Sequence, residues 1–218
     1  MIPVLVVPVL NRHDLLDRLL SSIDYPVENV LVIDNGKDAE WEYWNKNPKI
    51  ENLHHLQMPT NLGVPCSWNL GIKSLPYANY WLIVNNDAWF PEGSLKMFDD
   101  NSRRDRILLS AAMPPWCAFS IGANIVERVG LFDEGIYPAY YEDDDYKRRL
   151  THHNIPVHQS DIPVNHDNSS TLSSSDKFKA RNGETFLANM NYYQDKIKRN
   201  DFSEGNWSLT TRVKNGWD

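Results

Sequence analysis

The stretch Tyr80-Trp81-Leu82-Ile83-Val84-Asn85-Asn86-Asp87 constrains the fold more than any other part of the chain. Its apolar run leaves no polar face, so it suits a strand covered on both sides, as in a parallel sheet between helical layers. The run then stops in two amides and a carboxylate. Open α/β sheets bind ligands beyond the carboxyl ends of their strands, which puts Asp87 at the rim where chemistry is done. A carboxylate there can hold a hard divalent cation, and the cation a phosphate. Asn and Asp also favour turns, so this stretch alone fits a strand running into a loop equally well.

Its surroundings repeat the pattern. Val4–Val9 reads as a first strand, and Asn11-Arg12-His13-Asp14 opens a helix carrying Leu15, Leu16, Leu19, Leu20 and Ile23 at helical spacing. Val30–Ile33 reads as a second strand, ending in Asp34 before the turn pair Asn35-Gly36. Strand, helix and strand in so short a span form a βαβ unit with a right-handed crossover. Leu53–Gln57 is expected as a third strand, and Thr60–Pro65 as a loop leading into a helix over Ser67–Leu75. Further on, a helix is expected over Ser94–Asp99, a strand over Ile107–Ala118 interrupted by Pro114-Pro115, and a strand or helix over Ile121–Val129. Val157–Val164 reads as a last short strand. From Asp176 a helix begins whose Phe186, Met190, Tyr193 and Ile197 should lie against the domain. Glu40–Asn47 is polar and aromatic-rich, Ser169–Ser175 is serine-rich, and Trp207 and Trp217 are expected to anchor the polar tail.

With 218 residues, 41% of them hydrophobic, the chain can bury one sizeable core. The expected organisation is one domain over residues 1–175, split near residue 90 into two halves, with a helix and tail over residues 176–218. A net charge of −7 argues against a dedicated nucleic-acid binder. The two cysteines, Cys66 and Cys117, form neither a disulfide framework nor a zinc pair, so a reduced, cytoplasmic setting is expected. The apolar start, Met1 to Leu10, is too short to span a bilayer and lacks a basic lead-in.

Later in the chain, Glu142-Asp143-Asp144-Asp145 precedes the basic segment Lys147-Arg148-Arg149. Acids at a helix start and bases after it suit the helix dipole, which gives a purely structural account. Adjacent carboxylates also repel, and the crowding raises the pKa of one of them towards the range of a general base.

Taken in order, these features resemble the family-two glycosyltransferases. The motifs are Pro8 to Arg12 after the first strand, Asp34 after the second, Asn61-x-Gly63, Asn85-Asn86-Asp87, and Gly130-Leu131-Phe132-Asp133-Glu134 followed by Tyr141-Glu142-Asp143-Asp144-Asp145. The resemblance runs from about Val4 to Ser170 and implies a GT-A fold, a Rossmann-like, mostly parallel sheet flanked by helices. It implies that Pro8, Val9, Leu10 and Asn11 line a nucleotide, that Asp34 bonds the base or ribose, and that Asn61, Gly63, Asn69, Asn85 and Asn86 complete the donor site. It further implies that Asp87 and His166 hold Mn²⁺ or Mg²⁺ on the diphosphate. Asp143 would be the base of an inverting transfer, with Trp116, Asp133 and Glu142 facing the acceptor. Asn85 departs from the family pattern, which usually has an aspartate there, and similar amides occur in a rhamnosyltransferase-like subgroup.

The implied activity is metal-dependent transfer of one sugar from a UDP- or dTDP-sugar to a hydroxyl acceptor, a glycan on family frequency. Asp145 is an alternative base, and Trp116, Tyr140 and Tyr141 suit either stacking on a sugar or core packing. Arg148 and Arg149 could reach the diphosphate. A non-catalytic nucleotide-sugar or glycan-binding module and a sugar-phosphate nucleotidyltransferase are the competing readings. The latter wants a glycine-rich loop after the first strand, which Val9-Leu10-Asn11-Arg12 does not supply.

Overall fold

The computed structural model describes residues 1–36, 46–167 and 176–205, with side chains of residues 176–182 left out. Most of Glu40–Asn47, all of Ser169–Ser175, and Trp207 and Trp217 lie outside the described residues. The elements in chain order are β1 (Ile2–Val9), α1 (His13–Ser21), β2 (Val27–Asp34), β3 (Ile50–Gln57), α2 (Val64–Ser74), β4 (Tyr80–Val84) and β5 (Ala88–Trp89). They continue with α3 (Ser94–Asn101), β6 (Ile107–Leu109), β7 (Ala118–Gly122), α4 (Ala123–Val129), α5 (Glu142–His152), β8 (Val157–Gln159), β9 (Asn165–His166) and α6 (Asp176–Lys198).

A seven-stranded sheet runs in the order β3-β2-β1-β4-β7-β6-β8. Only β7 is antiparallel to its neighbours. Every residue of β4 is buried, as a strand covered on both faces requires. Alternate side chains go to opposite layers. Leu5, Val7 and Val9 of β1 join Leu82 and Val84 of β4 in a core closed by Leu16 and Leu19 of α1 and Phe98 of α3. Val4, Val6, Trp81 and Ile83 join a second core closed by Trp68 and Ile72 of α2, Ile125 of α4, and Tyr146 and Leu150 of α5. Helix α2 lies close on the sheet because position 71 is glycine: a Cβ there would sit 2.3 Å from Val6 Cγ1.

Three departures from the sequence pattern have physical causes. Ile107–Ala118 is not one strand: β6 ends at Leu109, and Pro115–Cys117 forms a 3₁₀ turn leading into β7. Proline brings no N–H to a ladder, so the prolines separate two strands that then pair antiparallel. Val157–Val164 likewise shortens to β8, and the chain next pairs as β9, against β5. Helix α6 meets the domain through Phe186 and Tyr193, as expected, but its buried positions are polar. It buries Thr185, Asn189 and Lys196, while Phe186 and Ile197 stay 39% and 40% exposed. Part of the surface it meets is polar: Asn189 Oδ1 accepts from Tyr137 N at 3.2 Å, and its Nδ2 donates to Ala139 O at 2.8 Å. Satisfying those buried groups outweighs the apolar stripe.

Candidate active site

Strand β1 leads to β2 on one side and neighbours β4 on the other, so the order reverses between β1 and β4. That is where open α/β sheets open a crevice. A cavity of about 430 Å³ lies there, lined by Pro8, Val9 and Leu10 at the end of β1 and Asn85, Asn86 and Asp87 at the end of β4. Its size falls in the range of small-molecule sites. Asn61 and Gly63 line it from the loop before α2, and Trp116, Glu142, Asp143 and His166 from the second half of the chain.

Asp87 and His166 meet through the short β5–β9 ladder, in which Ala88 pairs with His166 and Asp167 N donates to Asp87 O at 3.2 Å. Arg18 braces this corner. Its guanidinium donates to Asp87 O at 3.2 Å, pairs with Asp167 at 2.7 Å, and lies 3.8 Å over the Trp89 ring. Asp87 Oδ1 stands 2.9 Å from His166 Nε2, with both side chains nearly buried. The approach lacks hydrogen-bond geometry, and neither ring nitrogen of His166 has a hydrogen-bond partner among the described residues. A carboxylate oxygen and an imidazole nitrogen side by side are of the kinds that can serve as two ligands of one cation. Among the described residues no group of three or more His, Cys, Asp or Glu could hold a metal ion. The remaining coordination positions would fall to ligand oxygens or water.

Opposite chemistry gathers at the start of α5. Burial first, then the charge of Asp143, pushes the Glu142 carboxyl up to about 8, and its Oε2 has no hydrogen-bond partner among the described residues. Asp143 is also raised, by burial and by Asp144, with Lys147 pulling it back. Lys147 Nζ is 3.9 Å from a carboxylate oxygen of each aspartate. Tyr140 and Tyr141, just before the helix, both have φ of 76°, in the left-handed region that residues with a Cβ rarely adopt. Each such residue costs about 1–3 kcal/mol and persists only where surroundings over-determine it. Here α6 does so. Phe186 packs against both tyrosine rings, at 5.5 and 5.2 Å between centroids, and Tyr193 against Tyr141 at 5.7 Å.

Four residues expected in the site do not line the cavity. Asp34 is buried at the end of β2, its carboxylate held by His13 Nε2 at 2.8 Å, His55 Nε2 at 2.9 Å and Gly36 N at 2.9 Å. Asn11, at φ 56°, lies beside Gly36, whose missing side chain leaves room for it. Asn69 fastens the Phe132–Glu134 turn to α2, accepting from Phe132 N and donating to Phe132 O and Glu134 Oε1, each at 2.9 Å. Asp133 is wholly buried. It accepts from Gly135 N at 2.8 Å and Gly205 N at 2.9 Å and is ion-paired with Lys196, so it organises the turn and does not face an acceptor.

The alternative base, Asp145, is fully buried between Arg149 at 2.9 Å and Lys196 at 2.8 Å. Arg149 is therefore spent on Asp145, and Arg148 lies over Phe202 and donates to Asp201 O, so neither lines the cavity. Lining residues that the motifs did not single out include Asn35 and Phe186. Asn35 carried only a turn signal, although its side chain bonds Ser67 Oγ at 3.0 Å and accepts from Leu62 N at 2.9 Å. Phe186 is expected from the sequence only to pack against the domain, and its apolar spacing carries no sign that it reaches the cavity.

No family model and no curated protein sequence matches the chain. Solved structures do. TarS 1–349 from S. aureus superposes with a TM-score of 0.54 at 19% identity over 68% of this chain and 55% of its own. TarS 1–349 in complex with UDP-GlcNAc gives 0.52 at 17% over 68% and 53%. The catalytic domain of Drosophila beta1,4galactosyltransferase 7, in complex with xylobiose, gives 0.53 at 11% over 78% and 72%. The chain thus spans about half the length of the TarS structures it matches. What is shared at these identities is the fold, which is GT-A-like.

Proposed function

We propose that the chain is a metal-dependent, inverting glycosyltransferase that moves one sugar from a nucleoside-diphosphate donor to a hydroxyl acceptor. The observation that carries this reading is that one cavity, at the reversal point of the sheet, is lined both by the Asp87–His166 pair and by Glu142 and Asp143. A neighbour of the same fold holds UDP-GlcNAc, which supports a UDP-linked sugar over other donors. Another holds xylobiose, which supports a glycan acceptor.

In this reading Asp87 and His166 hold Mn²⁺ or Mg²⁺, which supplies Lewis-acid stabilisation of the departing diphosphate when bound. The residues of β1 and β4 position the donor. Asp143 takes the proton of the acceptor hydroxyl as its oxygen bonds to the anomeric carbon and the bond from that carbon to the diphosphate oxygen breaks. A single displacement of this kind inverts the anomeric centre. The raised pKa of Asp143 keeps a carboxylate basic enough for the task. The cysteines are unbridged, in keeping with the cytoplasmic setting proposed here, and no helix among the described residues is long and apolar enough to cross a membrane.

Asn85 favours a second reading, a module that binds the donor without turnover. One experiment separates the two. The purified protein is incubated with UDP-, dTDP- and GDP-linked hexoses and deoxyhexoses and Mn²⁺, with and without EDTA, and release of the nucleoside diphosphate is followed. Release that EDTA abolishes supports the transferase, whereas binding without release supports the module. Asp87→Ala is expected to abolish metal-dependent donor binding. Asp143→Asn should keep binding and lower turnover by about 10²–10⁴-fold. Equal loss of binding in both variants contradicts the division of roles.

A further inference from the structure

The part of the cavity formed by the second half of the chain has a composition of its own. Trp116, Tyr140, Tyr141 and Phe186 line it together with the carboxyl groups of Glu142, Asp143 and Asp144. Aromatic faces bury the C–H face of a flat, hydroxylated ring, and polar groups between them fix its orientation. Two such polar atoms are unpartnered within the described residues. Trp116 Nε1 donates to nothing and Glu142 Oε2 accepts from nothing, although the residues are only 4% and 9% exposed. One is an N–H donor and the other belongs to a carboxyl group, and sugar hydroxyls, which both donate and accept, are suited to each. Glu142 keeps its proton at neutral pH, so the negative charge of this wall comes from Asp143 and Asp144, which oppose a second anion because like charges brought together across an interface are costly. Lys147 offsets this partly, standing 3.9 Å from Asp143 and from Asp144.

Resting on the transferase reading, we propose that the acceptor is a saccharide without negative charge, and that Phe186 of α6 is a specificity-determining contact for it. Among the described residues of α6, Phe186 is the one that lines the cavity. It is 39% exposed while packed edge-on against Tyr140 and at a tilt against Tyr141, so part of the ring remains accessible beside the two tyrosines. Removing it takes away a stacking surface and also the brace that holds Tyr140 and Tyr141.

Saccharide binding is measured directly by calorimetry and saturation-transfer NMR, in the presence of Mn²⁺ and UDP, so that no turnover is needed. The probes are neutral disaccharides, their 2-amino counterparts and the corresponding uronates. Neutral or amino forms are expected to bind at least tenfold more tightly than the uronates, and Asp144→Asn should narrow that gap. Phe186→Ala should weaken the neutral probes about three- to tenfold, and Phe186→Tyr should restore them. Uronates binding as well as neutral sugars, no binding of any neutral or amino saccharide, or Phe186→Ala binding like the parent would each overturn the proposal. Saccharide binding with no nucleoside-diphosphate release from any donor would instead sink the transferase reading and leave the saccharide site standing.

Discussion

Glu142 opens α5 with one carboxyl oxygen unpartnered and its pKa pushed up to about 8, first by burial and then by Asp143. The ordinary carboxyl value is 4.5. Between about 4.5 and about 8 the unfolded chain has released this proton while the folded chain retains it. Folded protein then binds more protons than unfolded, so stability falls as pH rises through that window and levels off above it. Glu142→Gln removes the titrating group. The parent's urea midpoint should therefore drop more steeply from pH 5 to pH 8 than that of the Gln variant; parallel profiles would contradict the assignment. At this scale Asp87, a carboxylate following a buried strand, leaves a local trace of its place in the cavity lining, whereas Asp143 and His166 are singled out only through the family resemblance. The motifs misplaced Asp133 and Asn69, whose side chains are polar for structural reasons that spacing cannot reveal.

Helix α6 turns its charged face inward. Lys196, 1% exposed, is ion-paired with both Asp133 and Asp145, and donates to Ser203 O at 2.7 Å. Through these two carboxylates one lysine fixes the turn at 130–134 and the first turn of α5, where Asp143 lies. Removing one partner of a buried charge pair leaves the others uncompensated. Lys196→Met is expected to destabilise the protein by about 3–5 kcal/mol, read from urea unfolding. A loss below about 1 kcal/mol, the ordinary range of an exposed pair, would show that the network is already hydrated. The sequence marked α6 as a helix but assigned its face from the apolar residues, one position away from those it buries. Periodicity reports where hydrophobic residues recur, and it is blind to a helix that docks through Asn189 and Lys196. The β5–β9 ladder was equally invisible: two residues on each side carry no strand signal by themselves.

Across the molecule, one sheet joins strands from both sides of residue 90, so both halves of the chain share one frame. Helix α6 is bound into that frame by the Lys196 network and by Phe186 and Asn189 against the 137–141 loop. A chain ending at residue 175 would leave Asp133 and Asp145 without Lys196 and the two left-handed tyrosines without their brace. Its thermal unfolding by near-UV circular dichroism is expected to lose cooperativity and to begin at least about 10 °C lower, as several kcal/mol lost from a domain of this size implies. A sharp transition at the parent temperature would instead make α6 an appendage.

What the sequence determined alone were the three long apolar strands of the first half, most of the helices and the rim. Val4–Val9, Val30–Ile33 and Tyr80–Val84 are apolar runs whose length and composition admit a buried strand, and the polar residues that end them mark where such a sheet can bind. Only the tertiary structure decided that Asp87 stands 2.9 Å from His166, that Asp145 is neutralised while Asp143 lines the cavity, and that Phe186 completes its wall. Those relations join residues far apart in the chain, and their energies depend on burial and on which charges meet. Neither exists until the layers have packed.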